Sequence, residues 1–551
     1  MTETIALGSP RFTDSALTRM AAQQGNEAAW RSAFQQHGVN APNHVAGDFA
    51  IAFKEDGRTF LAIDRFAIRT LCYRLDGNAL RFAERADELA DSSSEIDPQA
   101  IYDYLYTHAI PSPRTIFKGI YRLPPAHYLL FENGRLTVAP YWTPRFEDDR
   151  PVSFDSLRDE FRHLLRQATE RQLDGGKAGC FLSGGTDSST VAGMIGEVRG
   201  SPAATYSIGF EAQGYDEMAF ARIAAKRFNT EHHEYYVTPA DLVRSISAVA
   251  THYDQPFGNS SALPAYYCAK MAKDDGVTRI LAGDGGDELF GGNARYAKSR
   301  IFDWYQCVPS LVRTAIMEPT LDTSLARQFP LIKKGSSYVE QARVPMPDRS
   351  QMYNLIMRLG LDQILNADFL AQVDTSAPLK QQQAVWAAAI TNDNTNRELA
   401  YDWRYTLAES DLPKVCGTTR LASIAVGFPM LDDDLLAFSL RLPVDYKLKG
   451  LKLRWFFKEA LRGFLPDEIL VKKKQGFGLP FGVWVARDAA LRKLASESVH
   501  GLVDRGILRA DFVNTLFDQR LNEHPGYYGE MIWISMMLEQ WLRGHAFNIS
   551  R

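Results

Sequence analysis

The chain has 551 residues, 45% hydrophobic and 23% charged, with a formal charge of −4 at pH 7. Those values fit a globular protein of about two to four domains, and they give no electrostatic footprint for nucleic acid or an anionic membrane. No apolar run approaches the roughly 18 residues of a membrane span, and the first 20 residues lack the apolar centre of a secretion signal. The five cysteines, none in a C-x-x-C pair, read as reduced thiols of a cytoplasmic protein.

Residues 1–145 are strand-rich. "GDFAIAF" (47–53), "FLAIDRF" (60–66) and "HYLLFENGRLTVAPYW" (127–142) carry β-branched and aromatic residues. They lie among turn signals such as "EDG", "LDGN" and "ENG". Proline and charge cluster in "PRFEDDRPVSF" (144–154), which marks a linker. A helix is expected over "SLRDEFRHLLRQATERQL" (156–173). From about residue 175 strands and helices alternate. "AGCFL" (178–182) is a short buried strand, and Val191, Met194, Ile195 and Val198 then fall on one helix face. "TYSIGF", "HHEYYV" and "VTRILAG" are further strands, with the helix "EMAFARIAAKRF" between the first two. Alternation of this kind predicts a parallel sheet with helices on both faces. Residues 345–551 read as mainly helical.

Two glycine-rich loops follow strands. In "FLSGGTDSST" (181–190) the glycines let the backbone approach a ligand, and the helix N-terminus supplies a positive pole suited to phosphate. The loop lacks both G-x-x-x-x-G-K-[ST] and G-x-G-x-x-G. It holds Asp187 instead, and a carboxylate beside a polyphosphate calls for a bridging cation, normally Mg²⁺. In "LAGDGGDELFGGNARY" (281–296), Asp284, Asp287 and Glu288 crowd among five glycines. Either loop alone also fits a tight turn with solvated acids. Together, at the C-terminal ends of strands in an open α/β sheet, they point to a nucleotide site. A cation shared by one carboxylate from each loop would bring the two within about 6 Å of each other.

"SGGTDSS" resembles the pyrophosphate loop of the N-type ATP pyrophosphatases. With "YSIGF", "YDE", "GDGGDELFGG", "LPKV" and "KKKQGFGLPFGVW", the chain resembles the asparagine synthetase family of the class II, glutamine-hydrolysing type. That family is related to β-lactam synthetases and lasso-peptide cyclases. The resemblance implies an N-terminal Ntn-type αββα sandwich over 1–145. It also implies a Rossmann-like ATP-pyrophosphatase domain with a helical C-terminal part over 150–551. By position, Ser183, Gly184, Gly185, Ser188 and Ser189 match the pyrophosphate loop, and Asp187 and Asp287 match the magnesium ligands. Leu182, Ile208, Ala282 and Gly283 match the adenosine-holding positions. Lys474 matches the lysine that neutralises the reacting phosphate, against the plainer alternative of a solvated basic run from Lys472. Asp284 matches an acid that assists intermediate formation, where β-lactam synthetases carry tyrosine.

The sequence also departs from that pattern. Class II glutaminase domains need cysteine as residue 2, where this chain has Thr2. The segments that bind glutamine have no counterpart before Gly47, so the N-terminal domain reads as degenerate. In the acceptor region, "DQPFGNSSALP" has Gln255 and Asn259 where the family has acids, "KVCG" has Cys416 and Gly417, and "SIAVGFPMLD" has Ala425 and Gly427 in place of glutamate and arginine. The resemblance thus implies an AMP-forming amide ligase of natural-product metabolism that uses ATP and Mg²⁺. It would join a small-molecule or peptide carboxylate other than aspartate to ammonia or an amine. Two alternatives stand beside it: an intramolecular lactam or lasso-peptide cyclase with a leader-binding partner, and a silent nucleotide-binding scaffold. A homodimer is compatible with the sequence.

Overall fold

From residue 49 to 63, buried apolar side chains fill both registers on either side of a polar centre, as two strands covered on both faces require. In the computed structural model, which describes residues 4–147, 153–309, 312–313, 338–473, 476 and 478–549, this stretch is the hairpin of β2 (Phe49–Glu55) and β3 (Arg58–Ile63). Asp56 and Gly57 both have positive φ, 48° and 75°, as a two-residue hairpin turn needs for the strand twist to continue. The sheet is antiparallel in the order β1 (Thr4–Gly8), β2, β3, β7 (His127–Glu132), β8 (Arg135–Pro140).

Phe49, Ile51, Phe53 and Phe60 share an apolar cluster with two helices, α1 (Ser15–Gln24) through Leu17 and α2 (Asn26–His37) through Trp30, Ala33 and Phe34. The strand-rich reading of 1–145 passed over these helices. Their local signals are present: the Asp14 carboxylate accepts from the Ala16 and Leu17 N–H groups, and Trp30, Ala33 and Phe34 have helical spacing. Ala50, Ala52, Leu61 and Ile63 face the other way, onto Leu71, Tyr73, Leu80 and Phe82. Those belong to or flank a second sheet of β4 (Cys72–Asp76), β5 (Ala79–Ala83) and β6 (Ile120–Arg122), ordered β5-β4-β6. α3 (Pro98–Thr107) covers its outer face. The layers are therefore helix, sheet, sheet, helix.

The second half is built on five parallel strands in the order β11 (Glu231–Val237), β10 (Ala204–Phe210), β9 (Ala178–Phe181), β12 (Arg279–Leu281), β13 (Ala425–Gly427). Every residue of β10 is buried, as parallel strands under two helical layers are. α4 (Phe154–Gln172), α5 (Thr186–Arg199) and α6 (Met218–Phe228) share one apolar cluster. α7 (Pro239–His252) and α8 (Ala262–Asp274) share the other. After β9 the chain crosses over to β10, whereas β12 lies on the far side of β9 beside β13. The loops after β9 and β12 therefore flank the switch point, where open α/β sheets bind ligands. Residues 338–549 are mostly helical and end on α14 (Pro525–Gly544), which is buried almost all round. The expected linker lies partly outside the described residues; at its start, Phe146 N–H bonds Ile390 O at 3.3 Å and Glu147 N–H bonds Leu440 O at 3.0 Å.

Candidate active site

The first loop is shaped by its own hydroxyls. Ser183 N–H donates to Ser188 Oγ at 3.2 Å, and the two Oγ atoms lie 3.1 Å apart. Gly184 has φ 68°, and a Cβ there would stand 2.4 Å from the Ala221 backbone nitrogen, so α6 approaches only because the side chain is absent. Gly185 is the N-cap of α5 and supplies no side-chain bond, which leaves the helix's first N–H groups without that partner. Ser189 Oγ is buried with no partner among the described residues, against the usual rule. Leu182 N–H bonds Tyr206 O at 2.9 Å, and Ser207 Oγ, next to Ile208, bonds Leu182 O.

The second loop lies against the first through glycines. A Cβ on Gly283 would meet Ser188 N at 2.8 Å, and one on Gly286 would meet Asp187 Oδ1 at 1.9 Å. Ala282 N–H bonds Gly427 O at 2.9 Å, which ties β13 to the same edge. Asp287, in α9 (Gly286–Phe290), faces Asp187. Between them sits Arg454, the N-cap of α13 (Trp455–Ala460), with a left-handed backbone at φ 53°. Its Nη1 is 2.6 Å from Asp187 Oδ2 and 2.9 Å from Asp287 Oδ1, and its Nη2 also bonds Asp187. The sum of those two distances bounds the separation of the carboxylate oxygens, and it falls under the expected limit for a shared cation. Burial alone would lower the Arg454 pKa, but Asp187 and Asp287 hold it above the ordinary arginine value.

Asp284 points away from that pair. Lys414 Nζ is 3.3 Å from Asp284 Oδ1 and 3.0 Å from Asp411 Oδ1. Burial raises the Asp284 pKa, with Lys414 opposing and Asp411 reinforcing the rise. Burial would lower the Lys414 pKa, but the two carboxylates raise it overall. Lys414 thus stays charged between the two carboxylates. Lys414 follows a π-helical stretch, Trp403–Asp411, whose Ser410 Oγ accepts from Asn259 Nδ2 at 3.1 Å. Such π-segments favour functional sites.

The other acceptor-region residues lie apart. Gln255 Nε2 donates to Ile110 O at 3.2 Å, and its Oε1 is buried without a partner among the described residues. Ala425 pairs with Arg279 at the start of β12, whereas Gly427 pairs with Leu281 at its end. Gly427 lines a cavity of about 170 Å³ between the two halves, shared with Arg11, Asp48, Arg171 and Asp432. Lys474 lies outside the described residues. Its neighbour Lys472 is no solvated surface lysine: its Nζ is 2.8 Å from Glu217 and 4.5 Å from the centre of the Phe220 ring. The sequence reading missed Arg454 altogether and used Lys414 only as one letter of "LPKV". Nothing local in "LKLRWFF" marks an arginine that meets loops more than 160 residues upstream.

A parallel sheet with two glycine loops meeting at its switch point defines an α/β enzyme of nucleotide chemistry. Comparison with known proteins narrows this. The Asparagine synthase family model matches residues 160–543, and the Glutamine amidotransferase domain model matches residues 27–142. The chain belongs to the asparagine synthase family, and so is an ATP-dependent carbon–nitrogen ligase. It is 24% identical over 530 residues to Asparagine synthetase (glutamine-hydrolyzing) 1 of Bacillus subtilis (strain 168), covering 94% of this chain and 80% of that one. To Asparagine synthetase (glutamine-hydrolyzing) 3 of the same organism it is 25% identical over 457 residues, covering 79% and 67%. To Amidase chyE of Penicillium rubens it is 23% identical over 497 residues, covering 82% and 72%. Among the described residues no helix is long and apolar enough to cross a membrane.

Proposed function

We propose that the protein adenylates a carboxylate other than aspartate and passes the acyl group to ammonia or an amine without using glutamine. The observation that carries this is the meeting of the two glycine loops, with Asp187 and Asp287 both within 2.9 Å of one nitrogen. The pyrophosphate of ATP then lies on Ser183, Gly184, Gly185, Ser188 and Ser189 at the N-terminus of α5, with adenosine against Leu182, Ile208, Ala282 and Gly283. The carboxylates of Asp187 and Asp287 are hard oxygen donors at a spacing that fits Mg²⁺; bound there, the ion would neutralise the departing pyrophosphate. The substrate carboxylate oxygen attacks the α-phosphorus, the bond to the β-phosphate oxygen breaks, and an acyl-adenylate forms. The nitrogen nucleophile attacks the acyl carbon, loses a proton and expels AMP. Lys474 steadies charge at the reacting phosphate, and Asp284, held by Lys414, faces the intermediate.

Loss of charge at Gln255, Asn259, Ala425 and Gly427 supports an acceptor larger and less zwitterionic than aspartate, because a buried zwitterion without partners is costly. That a relative over most of the chain is named an amidase fits a product other than asparagine. The lack of the family's glutamine-binding segments supports residues 1–145 as a structural domain joined to a synthetase domain over 150–551. The test is ATP–pyrophosphate exchange and AMP release with ammonium salts and a panel of carboxylic acids that includes aspartate. The reading expects exchange with a bulkier acid and little with aspartate. Asparagine formed as fast as the best product of the panel would refute the acceptor assignment.

A further inference from the structure

Arg454 makes more contacts than an ordinary stabilising ion pair. One nitrogen, Nη1, reaches Asp187 Oδ2, Asp287 Oδ1 and, at 2.9 Å, Thr186 Oγ1. The side chain is only 4% exposed, and the guanidinium lies 3.9 Å from the centre of the Phe457 ring. Glycine walls surround it: a Cβ on Gly292 would stand 2.6 Å from Arg454 Cδ, and one on Gly286 would stand 3.0 Å from Nη2. One donor is unused, because Nε is buried with no partner among the described residues.

We propose that Arg454 is the built-in counter-cation of the Asp187–Asp287 pair, and that a divalent cation enters with the nucleotide only as the guanidinium leaves its place between the two carboxylates. This rests on the reading of those carboxylates as metal ligands. Mg–O distances are about 2.1 Å, shorter than either oxygen's distance to Nη1. An ion bound to the same two oxygens, in the gap that Nη1 now spans, would therefore press against that nitrogen. Two cations in contact at a buried site repel strongly, so one position serves one of them at a time. With neither in place, two carboxylates facing each other at this distance would repel. Arg454 keeps the loops together until the nucleotide arrives. The nucleotide brings phosphates to the N-terminus of α5, beside Thr186, and a guanidinium binds phosphate through paired N–H groups. The unused Nε–H is available for that pairing. Arg454 acts here as a positioning residue that makes metal binding conditional on nucleotide.

The test reads metal binding rather than turnover. The full-length protein is titrated with Mn²⁺ alone, and free Mn²⁺ is followed by electron paramagnetic resonance. The wild type should show no saturable site until α,β-methylene-ATP is added. Arg454→Met and Arg454→Gln should each bind one Mn²⁺ without nucleotide, about tenfold or more tighter than the wild type. Adding Asp187→Asn to either should remove that site. Arg454→Lys keeps the charge and should behave as the wild type. Circular dichroism confirms that each variant is folded, and two neutral variants guard against one that is not. Mn²⁺ binding to the wild type alone, as tight as to Arg454→Met, overturns the displacement and leaves the metal ligands standing. So do neutral variants that gain nothing. If α,β-methylene-ATP brings no Mn²⁺ to the wild type, the metal-ligand reading fails and takes this proposal with it.

Discussion

The two halves use their charged residues in opposite ways. In the N-terminal half, arginines reach across to the other half: Arg11 to Asp432 at 3.0 Å, Arg65 to Asp433 at 2.6 Å and Arg122 to Asp254 at 3.0 Å. In the C-terminal half, Asp187, Asp284, Asp287, Lys414 and Arg454 converge at the end of one parallel sheet. The first set is spread along a seam and joins surfaces. The second is concentrated where two loops meet, and there each cation is shared between two carboxylates: Arg454 between Asp187 and Asp287, Lys414 between Asp284 and Asp411. Concentration, rather than the number of ionic groups, separates the reactive region from the supporting one.

The contrast breaks first at the carboxylate pair. Asp187→Asn keeps the size of the side chain and should cut ATP–pyrophosphate exchange by about 10³-fold or more, in a protein that still folds but melts lower because buried Arg454 loses one of its two carboxylate partners. Full exchange in this variant would remove Asp187 from the chemistry. Next comes the seam. Arg122→Ala takes the bonded guanidinium from Asp254, leaving it the Ala86 N–H and Arg85, and should lower unfolding free energy by about 1–3 kcal/mol in urea titrations. If catalysis falls in proportion at temperatures where the variant is folded, the seam is not merely supporting. Lys474→Ala should lower exchange by about 10²-fold with stability unaltered.

A smaller effect depends on pH. Burial works against the Asp254 charge, but Arg122, the Ala86 N–H and Arg85 outweigh it and hold the carboxyl below the usual range. A depressed acid lends stability above its unfolded pKa of about 4 and withdraws it as pH falls through the folded value. The stability gap between the wild type and Asp254→Asn should therefore be full at pH 6 and narrow below about pH 4. An unchanging gap from pH 6 to pH 3 would show that the pairing is not what Asp254 contributes. The smallest expected change is none: Thr2→Ala should leave glutamate release from glutamine at background, as in the wild type. Release that depends on Thr2 would move the N-terminal half into the chemistry.

What was legible in the sequence follows the range of the forces involved. β9, α5 and β10 were readable because burial imposes a local period, and the two acidic loops because glycines mark each on its own; it took the family resemblance to single out Asp287 from Asp284 and Glu288. α1 and α2 were passed over because the strand signal around them dominated, although Asp14 and the Trp30–Phe34 spacing were present. Arg454 was invisible, since its role arises only where chain segments more than 160 residues apart meet. The separation of Ala425 from Gly427 was equally hidden: they are two residues apart, but a strand sets them at opposite ends of its neighbour.

The outer helical layer of the N-terminal sandwich packs on the other half of the molecule. Tyr104 of α3 donates its hydroxyl to Ile534 O at 2.8 Å, Phe117 packs edge-on to Trp541, and one apolar cluster runs from Cys72 through Leu105 to Trp533. A chain shortened to its synthetase half would open this face of α14 to water, indole rings included, and invite self-association. Even with no reaction of its own to perform, the first half could not be trimmed away by gradual deletion. The first half thus serves as a cover, and a surface that must stay dry holds a domain in place apart from any chemistry the domain performs.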